Sequence, residues 1–254
     1  MPRGQRVRVQ SGWEDLIEHL RAVLEDAELA GLTAVKIDPA LDLPGEQILM
    51  AQQLGTVIFA LRRYPTDVAG KTVVVLGQGS AGLFFTHLLK RAGAARVIVA
   101  DLSPARLALS PRFGADVVLD ARTDDVRAAV RDLTGGTGSD YLVEAVGSRH
   151  TLAQSIELAA FDSKLLWFGL PDTSTPVEVS FQKFFRKRLT AQTVYGAQHE
   201  PGLVSFRVAL NMIARGDIDV SPLLSHILPV EDVERAFELA HTRDDGAIKV
   251  SVSF

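Results

Sequence analysis

KTVVVLGQGSAGLFFTHLLKRAGAARVIVAD, residues Lys71 to Asp101, is the stretch that decides the fold of this chain. It opens with a short valine-rich run, Thr72 to Leu76, which is typical of a buried strand. Apolar residues then recur at helical spacing from Ala81 to Ala92, and Gly93 follows as a helix-ending residue. Arg96 to Ala100 is a second apolar run. The order strand, helix, strand predicts a βαβ unit with parallel strands.

Three glycines at G-x-G-x-x-G spacing join the first predicted strand to the helix. Gly77 permits a tight turn, Gly79 lets backbone approach a pyrophosphate, and Gly82 lets the helix pack closely on the strand. The free N–H groups at the helix start attract phosphates. Because strand and helix flank the motif, it predicts a dinucleotide site and not merely a packing turn. The predicted contacts are Gly77, Gln78, Gly79, Ser80, Ala81 and Gly82.

An acidic residue, Asp101, ends the second strand of this unit. A carboxylate there can accept hydrogen bonds from the adenine ribose and would repel a 2′-phosphate, so the sequence predicts NAD in preference to NADP. Leu102 and Arg106 follow and are included in the predicted site. An arginine in this region can also hold a 2′-phosphate, which is the argument for NADP. We favour the interpretation that Arg106 is a solvated charge on the next helix.

Short apolar runs and helical segments continue to alternate along the chain. This alternation predicts an α/β fold, a doubly wound parallel sheet of Rossmann type with helices on both faces. The predicted strands are Thr72–Leu76, Arg96–Ala100, Val117–Leu119, Asp140–Ala145, Lys164–Phe168 and Leu189–Val194. Helices are also predicted before the first strand of this sheet, at Gln47 to Arg63, and after its last strand, at Gly202 to Arg215 and Glu231 to Ala240.

The two ends of the chain predict a second, smaller unit. Arg6 to Gln10 and Thr33 to Asp38 are short strand-like segments, and Ser11 to Ala30 between them has an apolar stripe at helical spacing. The tail from Ala247 to Phe254 alternates apolar and polar residues, so one face of a strand must be covered. We therefore predict a small α/β subdomain from residues 1–45 plus 246–254, beside the NAD-binding domain at 46–245. The alternative is that residues 1–30 form a dimerisation helix.

Composition excludes several classes of protein. The chain has 254 residues, of which 47% are hydrophobic and 23% are charged, as in ordinary globular proteins. The net charge is −4 and there is no basic tract, so we expect no nucleic-acid partner. No apolar run reaches membrane-spanning length, and the basic start is not followed by a signal-peptide core. The absence of cysteine excludes disulfides and thiolate metal sites, and fits a cytoplasmic protein.

From about Asp38 to its C-terminus, the chain resembles the medium-chain dehydrogenase/reductase family, the zinc alcohol and polyol dehydrogenases. The similarity covers most of the chain and is far more specific than the glycine motif alone. The matching stretches, in family order, are QLGTVIFALRR, VVVLGQGSAGL, VIVADLSPARLAL, FGADVVLDA, GGTGSDYLVEAVG, WFGLP, LPVEDVERAFELA and AIKVSVSF.

The resemblance implies further contacts with the NAD coenzyme. For the glycines among these positions, a location at the carboxyl end of a parallel strand supports the assignment, because open α/β sheets bind ligands there. The implied positions are Ala145, Val146 and Gly147 on the adenosine side, Gly169, Leu170, Pro171 and Thr56 at the nicotinamide, Thr193 and Tyr195 at its carboxamide, and Lys249 near the pyrophosphate.

The chain also departs from the family pattern. Family members carry a GroES-like catalytic domain before the helix that begins near Gln47, whereas fewer than fifty residues precede that position here. We therefore expect a reduced member that lacks most of that domain. Where the family often has a metal-binding residue, four positions before Thr56, this chain has Gln52. A neutral amide is a poor zinc ligand, so no metal site is predicted and the zinc mechanism is not carried over.

Hydride transfer without zinc needs a side chain that exchanges the hydroxyl proton. His199 and Tyr195 lie in the loop that the resemblance places near the nicotinamide, so they are the predicted catalytic residues. We expect an NAD-dependent oxidoreductase acting on a small alcohol or carbonyl compound. The alternatives are a redox-neutral epimerase or lyase that retains NAD, and a non-catalytic nucleotide-binding or partner-binding remnant. The family pairs nucleotide domains, so the resemblance implies a homodimer through the strand near Leu189–Val194 or Lys164–Phe168.

Overall fold

The structure is a computed structural model that describes Ile37, Leu41 and residues 43–171 and 176–253. The chain divides into two units, Met1–Asp42 and Leu43–Phe254, and every described helix and strand belongs to the second. The predicted N-terminal strands and helix lie outside the described residues, apart from the single position Ile37. The prediction of a subdomain that includes residues 1–45 therefore stays a prediction.

Strands and helices of the described residues alternate as the sequence predicts. The strands are β1 (Thr72–Leu76), β2 (Arg96–Asp101), β3 (Val117–Asp120), β4 (Ser139–Glu144), β5 (Ala159–Trp167), β6 (Thr190–Thr193), β7 (Leu224–Pro229) and β8 (Lys249–Ser253). The helices are α1 (Gly45–Arg63), α2 (Ser80–Arg91), α3 (Pro104–Leu109), α4 (Val126–Leu133), α5 (Arg149–Leu158), α6 (Phe181–Arg186), α7 (Val204–Ala214) and α8 (Val233–Thr242). None of these helices is both long and apolar enough to cross a membrane.

Six parallel strands form the main sheet in the order β3-β2-β1-β4-β5-β6. The predicted doubly wound α/β fold is thereby confirmed. Val74 of β1 pairs with Ile98 of β2 and with Leu142 of β4, and all three side chains are fully buried. The strand order reverses between β1 and β4, so the ends of these two strands open a crevice between their following loops. That crevice is where ligands bind in open parallel sheets.

Strand β5 begins five residues earlier than the predicted strand, at Ala159 instead of Lys164. The early part contains an exposed phenylalanine, Phe161, and an aspartate, Asp162, whose φ of +60° lies in the left-handed region. The pairing of β5 with β4 also shifts register between Ser139 and Tyr141. These irregularities break the continuous apolar run by which a buried strand is recognised.

The C-terminal tail pairs with a strand that the sequence pattern did not predict. β8 runs parallel to β7 in a separate two-stranded sheet. Helix α8 covers one face of this sheet, where Leu228, Ala236 and Leu239 are buried and the partly buried Val250 and Val252 pack against them. The predicted partners of the tail were the N-terminal strands, whereas within the described residues the tail pairs with β7. The alternation in LSHILP is too short and too polar to indicate a strand by itself.

Helices α1 and α7 cross closely and fix the loop that follows β6. A Cβ atom on Gly55 of α1 would lie 2.8 Å from the Cα of Phe206, so this glycine allows the close approach. Arg62 of α1 donates hydrogen bonds to Glu200 at 2.9 Å and to Ser205 at 3.0 Å. The Glu200 carboxylate also accepts from the Ser205 N–H at 2.7 Å, which caps the start of α7. One carboxylate therefore joins the loop, α1 and α7.

Candidate functional site

The three motif glycines have three different surroundings. Gly77 has φ of +89°, and a Cβ atom there would lie 2.6 Å from the Val146 side chain. A Cβ atom on Gly82 would lie only 1.9 Å from the carbonyl oxygen of Gly77. Around Gly79 the nearest atom to such a Cβ is Nη1 of Arg106, at 3.9 Å. The turn and the helix packing therefore require Gly77 and Gly82, whereas the backbone of Gly79 faces open space.

Helix α2 begins directly after Gly79, and no side chain caps its N-terminus. The first N–H groups of a helix have no partner within the helix, and the helix dipole makes this end partly positive. An anion placed against the open face of Gly79 would satisfy these donors. The glycine loop and the helix start thus have the donor chemistry that a pyrophosphate needs.

Two predicted loop residues, Gln78 and Ser80, support the loop from behind. The Gln78 side chain is fully buried, and its Oε1 accepts hydrogen bonds from Thr86 at 3.2 Å and Ser110 at 3.1 Å. Ser80 is also buried, and its hydroxyl donates to Gln53 of α1. These side chains face the interior, so the loop offers a ligand its backbone at both positions. The sequence pattern did not reveal this buried support.

Asp101 ends β2 with its carboxylate turned toward the glycine loop. One oxygen accepts from the Gln78 N–H at 2.5 Å and the other accepts from the Ser103 N–H at 2.8 Å. Nη1 of Arg106 lies 3.9 Å from the same carboxylate, and the Arg106 side chain is only 16% exposed. The interpretation of Arg106 as a solvated charge is therefore wrong. Its guanidinium is drawn toward Asp101 because the two charges attract in a partly buried setting.

Most of the predicted adenosine-side residues meet in one cavity of about 820 Å³ at the crevice, but Gly147 does not line it. This cavity brings together segments that are far apart in the chain. Its walls include the predicted residues Gly77, Gly79, Asp101, Leu102, Arg106, Ala145 and Val146. They also include residues that sequence reasoning missed, among them Ser103, Asp124, Asp125, His150, Thr151 and Arg243. Leu102 and Val146 expose 64% and 47% of their surface there, so the cavity has apolar as well as charged walls.

Glu144, at the end of β4, is a buried carboxylate that the sequence analysis did not single out. One of its oxygens accepts from the N–H groups of Val146 and Gly147, both at 2.9 Å, and from the Thr151 hydroxyl at 2.7 Å. Its backbone carbonyl accepts from the N–H groups of Phe168 and Gly169, both at 2.9 Å. A single residue therefore holds the loops after β4 and β5. In the sequence, the only indication of this role is a carboxylate within the apolar run of a predicted strand.

The predicted nicotinamide-side residues do not line the adenosine-side cavity. Gly147 and Gly169 lie back to back, since a Cβ on Gly169 would be 2.0 Å from the Gly147 nitrogen. Leu170 is 72% exposed, and Pro171 beside it is also exposed. The remaining predicted positions are Thr56, whose hydroxyl donates to the Gln52 carbonyl, Thr193 at the end of β6, and Lys249 at the start of β8.

Tyr195 and His199 lie in the loop after β6, and both are exposed, Tyr195 by 82%. Nε2 of His199 is 3.3 Å from the Gln198 amide, which is its neighbour in the chain. Within the described residues, no carboxylate or lysine contacts either side chain in a way that would set up a proton-transfer pair. The fold fixes the end of their loop through Glu200 but leaves both side chains at the surface.

The residues that could ligate a metal were compared with the needs of a zinc site. They contain no group of three histidine, cysteine, aspartate or glutamate residues placed to hold a metal ion. Gln52 of α1 offers an amide where a zinc ligand would need thiolate, imidazole or carboxylate chemistry. The crevice, in contrast, has the loop backbone, the helix start and the acidic strand end that fit a dinucleotide.

Comparison with known proteins places this geometry in a family. A model of the zinc-binding dehydrogenase family matches residues 81–214. The chain is 30% identical to an L-threonine 3-dehydrogenase of Bacillus velezensis, over 72% of this chain and 52% of that protein. It is also 30% identical to an alcohol dehydrogenase of Cupriavidus necator, over 83% of this chain and 57% of that protein. The chain thus spans a little over half the length of these relatives.

Solved structures show the same fold. An alcohol dehydrogenase from Thermotoga maritima matches with a TM-score of 0.73 and 30% identity, over 86% of this chain and 59% of that one. An L-idonate 5-dehydrogenase from Escherichia coli matches with a TM-score of 0.72 at 24% identity, over 83% of this chain and 57% of that one, which supports the fold alone. With the family model matched over more than half of its 254 residues, the chain belongs to the zinc-type medium-chain dehydrogenase/reductase family.

Proposed function

We propose that this protein is an NAD-dependent oxidoreductase that acts on an alcohol or carbonyl group of a small molecule and does so without zinc. The crevice between β1 and β4 carries the proposal, because its open glycine, uncapped helix start and acidic strand end suit a dinucleotide. The matched L-threonine 3-dehydrogenase and alcohol dehydrogenase are named for oxidation of alcohols. Their activity enters here as a proposal, since the chain spans only part of their length. A cytoplasmic location stays a prediction.

Each part of the coenzyme would meet a different wall. The pyrophosphate would lie against Gly79 and the N-terminus of α2. The adenine ribose would reach Asp101, whose oxygens can accept further hydrogen bonds beyond those from Gln78 and Ser103. The adenine would cover the exposed apolar surface of Leu102 and Val146. The nicotinamide side would extend past Gly147 and Gly169 toward the exposed Leu170.

The bound coenzyme would supply a nicotinamide that accepts or donates a hydride. The protein must then hold or release the hydroxyl proton of the substrate. Tyr195 and His199 remain our candidates for that role, because their loop is fixed at Glu200 and their side chains are exposed. The state of the coenzyme in the purified protein separates the functional classes. Exchangeable NAD supports the proposal, whereas tightly retained NAD favours a redox-neutral reaction and no binding favours a non-catalytic remnant.

Replacement of Asp101 tests the coenzyme preference. Wild-type protein is expected to bind NAD at least about tenfold more tightly than NADP, because the Asp101 carboxylate would repel a 2′-phosphate. Asp101→Ser removes the charge, so the difference between the two coenzymes should narrow. Titration calorimetry with both coenzymes measures this. Equal or tighter binding of NADP by the wild-type protein would disprove the preference.

Metal analysis tests the proposed independence from zinc. The sequence has no cysteine, and Gln52 offers only an amide. We therefore expect protein purified without chelator to contain well under one zinc ion per chain, as measured by plasma mass spectrometry. One tightly held zinc ion per chain, with activity lost on its removal and restored on its return, would contradict this part of the proposal.

We also propose a homodimer formed through the outer edge of β6. Within the described residues β6 pairs only with β5, and unpaired strand edges readily pair with a second chain. β5 lies between β4 and β6, so the alternative interface at Lys164–Phe168 is not at an edge. Light scattering at micromolar concentration should give twice the chain mass. A monomer under these conditions would argue against the interface.

A further inference from the structure

Arg243 is a wall residue of the adenosine-side cavity that comes from the far end of the chain. It follows α8, and its N–H donates to the Leu239 carbonyl at 2.9 Å, which closes the helix end. Its φ is +62°, a left-handed conformation that non-glycine residues adopt at a cost. Asp245, two residues later, has φ of +50°. Two strained residues in one loop suggest that the loop is held in this conformation for the sake of a side chain that it carries.

The strained loop is packed against the start of α3. A Cβ atom on Gly246 would lie 3.2 Å from the Cβ of Ala105, which leaves room for little more than glycine. Ala105 immediately precedes Arg106, the residue that lies beside Asp101. This contact holds the loop at the same side of the cavity as Arg106. The tight backbone therefore serves to bring the loop of Arg243 to the cavity wall.

The carboxylates of this cavity are already engaged with the backbone. Asp101 accepts two backbone N–H groups, at 2.5 and 2.8 Å. Asp124 accepts one at 2.8 Å, and Asp125 accepts one at 2.9 Å as the cap of α4. Hydrogen bonds from backbone N–H groups to carboxylates are strong and hold each acid in place. The acidic groups of the wall thus have structural partners of their own.

The arginines of the cavity, in contrast, have hydrogen-bond donors that are not used within the described residues. The only charged partner of Arg106 among the described residues is Asp101, at 3.9 Å, and its buried Nε has no hydrogen-bond partner there. Arg243 makes no side-chain hydrogen bond or ion pair within the described part of the chain. A guanidinium presents five N–H donors. The unused hydrogen-bond donors of this wall therefore belong to its two arginines, and they suit an anion with several acceptor oxygens.

We propose that Arg243, together with Arg106, binds a phosphate group of the dinucleotide. This inference rests on the proposed coenzyme function and adds a residue that neither the glycine motif nor the strand-end acid specifies. A guanidinium matches the oxygens of a phosphate in a two-pronged contact. A dinucleotide offers such oxygens in its pyrophosphate, and NADP offers more in its 2′-phosphate. Binding of a 2′-phosphate would require the two guanidiniums to offset the repulsion from Asp101.

The test compares Arg243→Gln with Arg235→Gln in the full chain. Arg235 lies on α8, is exposed, and does not line the cavity, so its replacement makes the same change of net charge. Titrations with NADH and NADPH, followed by coenzyme fluorescence, should show about tenfold weaker binding for Arg243→Gln and unchanged binding for Arg235→Gln. Arg243→Lys should recover part of the loss. The salt dependence of binding should be less steep for Arg243→Gln than for wild type.

The two coenzymes identify the phosphate. An equal loss for NADH and NADPH assigns Arg243 to the pyrophosphate, whereas a loss confined to NADPH assigns it to the 2′-phosphate. Arg243→Gln that binds both coenzymes as tightly as Arg235→Gln would overturn the inference while leaving the coenzyme function intact. Wild-type protein that binds neither coenzyme would overturn both. Circular dichroism and thermal unfolding confirm that the variants are folded. If Arg243→Gln does not fold, Arg243→Met against Arg235→Met removes the same charge at both positions and gives the same comparison.

Discussion

Gly79→Val is expected to abolish measurable dinucleotide binding while the protein remains folded. Around Gly79 the nearest atom to a new Cβ would be 3.9 Å away, so a side chain there meets no other part of the protein closely. It would instead fill the space that the pyrophosphate needs. The backbone at Gly79 has φ of −64° and ψ of −179°, which any residue can adopt. Binding should weaken at least about 100-fold, equivalent to about 2.7 kcal/mol.

Titration calorimetry with NAD measures the affinity, and urea unfolding measures stability in the same preparations. Gly45→Val is the matched control, because a Cβ on Gly45 meets no atom within 4 Å and lies at the start of α1, outside the cavity. Both variants should unfold within about 0.5 kcal/mol of wild type. Retention of wild-type affinity by Gly79→Val would show that the pyrophosphate does not lie against this loop.

In contrast to Gly79→Val, Gly82→Ala is expected to destabilise the fold itself. The added Cβ would lie 1.9 Å from the carbonyl oxygen of Gly77 and 2.7 Å from its carbon. Both are backbone atoms of the turn, so no flexible side chain can move aside. Helix α2, whose Leu83, Phe84 and Phe85 are fully buried, would have to shift away from the turn. We expect a loss of about 4 kcal/mol or more in the free energy of unfolding.

Urea unfolding of the full chain followed by circular dichroism measures this loss, and failure to obtain soluble folded protein would be its extreme form. Gly79→Ala, three residues earlier in the same motif, makes the same chemical change in open space and should unfold like wild type. A Gly82→Ala protein as stable as Gly79→Ala would mean that α2 and the turn are less tightly packed than the structure shows.

The contrast between Gly79 and Gly82 indicates how much of the structure could be predicted from the sequence. The spacing of the motif predicted three distinct roles, and the structure gives Gly77 a left-handed turn, Gly79 open space and Gly82 a backbone contact. The main strands were also predictable, because strands buried on both faces require continuous apolar runs. β5 and β7 were less accessible to prediction, since exposed and polar residues interrupt their patterns.

The site could be predicted only in part. Asp101 was predictable from its distance after the glycine motif, but the position of Arg106 was not, because burial of a charge depends on which opposite charge the fold places beside it. Glu144 had no motif of its own, and its role comes from the N–H groups that two loops direct at it. The assignment of Tyr195 and His199 as catalytic residues remains a prediction.

By itself the sequence determined a parallel α/β sheet, the glycine turn that ends its first strand, and the acidic end of the second. These are local properties, set by the apolar period, the conformational freedom of glycine and the distance along a βαβ unit. Only the tertiary structure decided which side chains share the cavity. Arg243 joins Asp101 there across more than 140 residues of chain, because a left-handed turn after α8 packs on α3. No periodicity encodes such a contact, since it depends on how separate elements pack in space.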